Sequence, residues 1–193
     1  MHHASRHLFC SVILMALAST PACRYLADPG EAIFEVAQVT QHEECMNAAF
    51  PFEPNFFAAR QRRTSIGLFL QSRGGLDTDF DLVQIELYEP AFIHKNLGRP
   101  IPLSIPNAPD PIARATVLLR ESCEDLWEGF YLTGAVIIDV LDLDDDRRVE
   151  GSFSGASLVK TRTNEVVAGE FQGSWAYDVL RGPPHEEFFP PGN

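Results

Sequence analysis

Residues 131–180 read YLTGAVIIDVLDLDDDRRVEGSFSGASLVKTRTNEVVAGEFQGSWAYDVL, three alternating runs separated by charged or turn-forming residues. In the third run Val167, Gly169, Phe171, Gly173, Trp175, Tyr177 and Val179 fall on one side at period two. Ala168, Glu170, Gln172, Ser174 and Asp178 fall on the other. A sheet with one buried and one wet face requires this spacing, and a helix does not produce it. The second run places Val149, Gly151, Phe153 and Gly155 opposite Glu150, Ser152 and Ser154. The first sets Val136, Ile138 and Val140 against Asp139, with Ile137 and Leu141 making its other face apolar too. Asp144, Asp145, Asp146, Arg147 and Arg148 resist burial together, so they form the turn between the first two strands. The three strands make an antiparallel meander.

The rest of the chain extends the same pattern. Glu31–Thr40 reads as a strand, and so does Thr64–Gln71, with Ile66, Leu68 and Leu70 on one face. Asp79–Glu89, with Val83, Ile85 and Leu87 alternating against Gln84 and Glu86, pairs with it as a hairpin across the Gly74-Gly75 turn. Ala113–Arg120 turns Ala115, Val117 and Leu119 inward. Between the first two strands, residues 41–63 carry Pro51 and Pro54 and predict an irregular loop. A short helical turn is expected from Pro54 to Arg60, packed down by Phe50, Phe52, Phe56 and Phe57. Residues 90–111 hold six of the 14 prolines and predict an extended excursion along the outside or over one end of the fold. The tail, 181–193, is turn-forming and polar, and is expected to be a flexible end.

The chain has 193 residues, 45% of them hydrophobic, which is enough for one core. The fold expected is all-β: an antiparallel sandwich, or a small partly closed barrel, ending in the meander, and formed by a single domain over 31–180. The glycines suit a strongly coiled sheet or a small barrel. Gly151, Gly155, Gly169 and Gly173 recur at an interval of four in two strands, on the side of Phe153, Phe171 and Trp175. On a packed face, a glycine relieves crowding where a strand bends or a large neighbour crosses it.

The first 22 residues set an apolar run, Leu8–Leu17, between Arg6 and the small residues Ala18, Ser19, Thr20 and Ala22, the order of a secretory signal peptide. A run of about ten residues is too short to span a bilayer. A cut after Ala22 leaves Cys23 first, and residues 23–30 become a polar tether. Of the four cysteines, Cys10 leaves with the signal. Cys45 and Cys123 are then the pair left in the folded domain, expected to be bridged in an oxidising compartment.

Cys23 directly after such a cut resembles the acylated cysteine of bacterial lipoproteins, although Thr20 stands where that signal usually has leucine and the nearest leucine is Leu17. The resemblance implies a lipid on Cys23. With Arg24 next rather than aspartate, it implies a membrane contact at the outer membrane, on its periplasmic face or at the cell surface. Without the lipid, the address is the periplasm or the medium. Across residues 134–175 the G-x-F-x-G strands also resemble uncharacterised β-rich lipoproteins of Gram-negative bacteria, which implies a sandwich or barrel and no active residue.

Chemistry is harder to find. Twenty-seven acidic against fifteen basic residues give a net charge of −12, which repels a phosphate backbone, and no basic run interleaved with aromatics offsets it; nucleic acid is excluded as a partner. There is no G-x-S-x-G elbow, no H-E-x-x-H or H-x-H, and no C-x-x-C. Asp142, Asp144, Asp145 and Asp146 lack the glycine and closing glutamate of a calcium loop. Neither a catalytic residue, a metal ligand nor a cofactor is therefore expected. The function expected is a non-enzymatic envelope module, binding or structural, with a protein or a small apolar ligand as partner. A lipocalin-like binder is the first alternative, its pocket lined by Phe153, Phe171 and Trp175 and given space by the inward glycines. An enzyme built from residues distant in sequence is the second.

Overall fold

The computed structural model describes residues 30–37, 50–72, 80–120, 129–144 and 147–179. The signal peptide, the tether before Gly30, the tail, Gly74-Gly75, and Cys23, Cys45 and Cys123 lie outside these residues, and with them the lipidation and disulfide expectations.

Among the described residues, one antiparallel sheet contains every strand: β1 (Gly30–Ala37), β2 (Phe50–Phe52), β3 (Phe56–Gln61), β4 (Ser65–Gln71), β5 (Asp81–Tyr88), β6 (Pro100–Pro102), β7 (Ala113–Leu119), β8 (Phe130–Leu141), β9 (Arg147–Lys160) and β10 (Val166–Val179). Its order is β2-β1-β10-β9-β8-β7-β5-β4-β3, with β6 added beside β8. The expected meander is β8-β9-β10 and the expected hairpin is β4-β5.

A single sheet has only itself to bury its apolar face against, so it curls into a half-barrel. The curl brings β3 across the interior onto β10, far from it in strand order. The Phe57 ring stacks on Tyr177 with centroids 5.0 Å apart, and the Tyr177 hydroxyl donates to the carbonyl of Ala58 at 3.4 Å. The two ends of the sheet, β2 and β3, are joined by residues 53–55 alone, so one kinked segment carries the chain from one edge to the other. Residues Pro54–Arg60 are thus not a helical turn. Pro54 sits in the kink, where its missing amide costs no ladder bond, and the residues after it pair fully with β4.

Inward side chains from every long strand meet in one core, with Phe34, Ile66, Leu68, Ile85, Leu132, Val136, Leu158 and Tyr177 all inaccessible. A second, smaller cluster of Phe56, Ala58, Phe69 and Leu82 lies on the opposite face of β3, β4 and β5. Phe56 and Phe57, adjacent along β3, therefore serve different cores.

The proline-rich excursion is not merely extended. Glu89 takes a left-handed conformation (φ 54°), Pro90 opens a short helix α1 (Pro90–Lys95), and Asn96 closes it by donating to the Phe92 carbonyl at 2.9 Å. Proline suits the first helical turn, whose amides have no intrahelical partner. Ile93 on α1 is inaccessible and joins the core, and β6 then pairs with residues Ala135–Ile137 of β8, beyond the part of β8 that β7 covers. The excursion supplies ladder and core where β7 stops.

Candidate functional site

The three aromatics singled out in the sequence do converge. Phe153 meets Phe171 edge to face with centroids 5.4 Å apart and tilts against Trp175 at 5.3 Å. A fourth ring completes the cluster. Phe34 of β1 lies 5.8 Å from Phe171, 6.1 Å from Phe153 and 6.3 Å from Trp175. Its place follows from register, since Phe34 pairs with Gly173 across β1 and β10, and no local pattern announces that pairing.

Two of the four glycines make this cluster possible. A Cβ on Gly173 would overlap the Phe34 ring, and a Cβ on Gly151 would run into the Trp175 indole, which lies across its cross-strand partner Gly151. The space that these inward glycines leave is filled by rings of this chain. Trp175 is 2% exposed, and its Nε1–H finds no acceptor among the described residues. An indole N–H buried without an acceptor costs about 1–3 kcal/mol, which the packing of Trp175 against Phe34 and Phe153 must offset.

Gly155 and Gly169 do not face the core, contrary to the alternation read from the sequence. Between the pairs Thr133–Ser157 and Ala135–Ser154, and again between Phe171–Ala156 and Ser174–Ser152, β9 carries one residue more than each neighbour. Gly155 lies at this bulge with φ 57°, opposite Gly134 at φ 97°, conformations that L side chains rarely adopt. The extra residue reverses the phase of β9: Phe153 points in before it, and Ala156 and Leu158 after it. β10 has its own irregularity between Ala168 and Phe171, which leaves Gly169 and Glu170 both exposed in succession. A further bulge at Asp139 of β8 turns Leu141, rather than Val140, into the core.

The bulges of β9 and β10 lie side by side and form an open groove of about 590 Å³ on the outside of the sheet. Ser154, Gly155, Gly169, Glu170 and Gln172 line it, and Phe153 and Phe171 lie beneath. Trp175 is not part of its wall. The three expected residues therefore do not line one pocket: Phe153 and Phe171 lie under this groove, and Trp175 lies under a separate outer-face depression beside Gly151 and Ser174. The groove offers a carboxylate, an amide, a hydroxyl and bare glycine backbone, all of which can hydrogen-bond to a partner.

Gly169 is not demanded by the fold, for its φ is ordinary and a Cβ there would meet nothing within 4 Å. Gly169→Ala is expected to leave stability within about 0.5 kcal/mol of the parent in urea unfolding, as for a surface substitution. A large loss would show that the β10 bulge packs against something.

A second polar cluster lies on the outer face of β4, β5 and β7. Glu86 accepts from Tyr88 Oη at 2.9 Å, from Ser65 Oγ at 3.3 Å and from Arg62 at 3.4 Å. Arg114 lies over the Tyr88 ring at 5.6 Å. Burial, and then the neighbouring Glu86, push the Tyr88 phenol above its ordinary range, so it remains a donor. This knot ties strands together and opens onto none of the grooves described. At the β8–β9 turn, Asp142 accepts from the amide of Asp144 at 3.2 Å and pairs with Arg147 at 3.9 Å. These are the contacts of a solvated hairpin turn. Asp145 and Asp146 lie outside the described residues. Among the described residues, no group of three or more His, Cys, Asp and Glu is placed to hold a metal ion.

Compared with protein-family models, with curated proteins and with solved structures, the chain finds no match in any of the three.

Proposed function

We propose that this chain is a non-enzymatic module of the bacterial envelope that engages its partner through the outside of its half-barrel, at the groove over the β9 and β10 bulges. One observation carries the reading. Among the described residues, the place expected for a pocket is occupied by the protein's own side chains, with Phe57 of β3 stacked on Tyr177 of β10 and the room at Gly151 and Gly173 taken by Trp175 and Phe34. A lipocalin-like binder needs free volume at that place.

The uncharged fluorophore Nile red tests it. Titrated against the folded protein, its emission is expected to rise without saturating. Saturable binding at one site, lost on chemical unfolding, would overturn the outside-binding reading in favour of an internal pocket.

The envelope address is a proposal of the same kind, supported by the order of residues 1–22 and by Cys23. The chain exported from a Gram-negative host is expected to begin at Cys23 and to carry acyl chains by intact-mass analysis. The same sample digested without reductant should yield Cys45 and Cys123 as one linked peptide. A product retaining Met1 would remove both the signal and the lipid. A start at Cys23 without acyl mass would remove the lipid alone, and free thiols at Cys45 and Cys123 would remove the bridge.

A further inference from the structure

We draw no further inference here: the strongest candidate, the outer-face saddle of about 350 Å³ across β1, β10, β9 and β8, where Glu31, Asp139 and Glu150 surround Ser152, Ser174 and Ala176, is an acidic cluster over small residues, and nothing in the structure shows what covers it.

Discussion

Trp175→Ala is expected to destabilise the protein by about 3–5 kcal/mol, the usual range for truncating a large buried aromatic. The indole is 2% exposed and lies between Phe34, Phe153 and the backbone of Gly151, so its removal leaves a cavity bordered by rings that cannot all move into it. Cores relax only in part around such a loss, because interiors are packed nearly as densely as organic crystals. Urea unfolding followed by far-ultraviolet circular dichroism would measure the shift. Trp175→Phe is a useful companion. Since Nε1 has no acceptor among the described residues, phenylalanine should restore a large part of the stability by volume alone. If alanine costs less than about 1 kcal/mol, on the scale of ordinary surface changes, the indole borders free space and the filled-interior reading falls.

Gly173→Val carries the second large effect. The first added carbon would overlap the Phe34 ring and lie 2.9 Å from the carbonyl of Ile33, and β1 is held to β10 in register on both sides of this position. Overpacking a filled core costs about 1–3 kcal/mol. Here the upper part of that range is expected, because Phe34 is inaccessible and its neighbours Phe153, Phe171 and Trp175 leave its ring no direction in which to turn. The pair should be strongly non-additive. Once Phe34→Ala has cleared the ring, Gly173→Val should cost far less than it does alone, since contacting residues couple. Additive costs in thermal unfolding of the four proteins would show that Phe34 does not sit over Gly173. Gly169→Ala, four residues away on the same strand, is the control, because no atom lies in its path.

These two glycines show where local pattern and tertiary structure divide. By an uninterrupted alternation in each of β9 and β10, all four of Gly151, Gly155, Gly169 and Gly173 would be inward. Gly151 and Gly173 are, whereas Gly155 and Gly169 are not, because each strand carries extra residues that reset its phase. A bulge inserts a residue without altering composition, so a period-two count runs through it unaware. Phe34 was missed as a member of the aromatic cluster for a related reason. Its neighbour is set by which residue of β10 it pairs with, well over a hundred positions away in the chain.

The sequence alone determined the all-β class, the β8-β9-β10 meander, the β4-β5 hairpin, and the inward faces of β4, β5 and β7 with Ile66, Val83 and Ala115. Alternation of apolar and polar residues is a local property, and every antiparallel arrangement that buries one face must use it. Only the tertiary structure decided that one sheet curls into a half-barrel, that residues 56–61 form a strand instead of a turn of helix, and that α1 and β6 finish the core beside β8. It also decided which face of the aromatic cluster is closed and where the outer groove opens. Each of these depends on pairing between distant segments. The free energy that selects such a pairing comes from surfaces that exist only after the chain has come together.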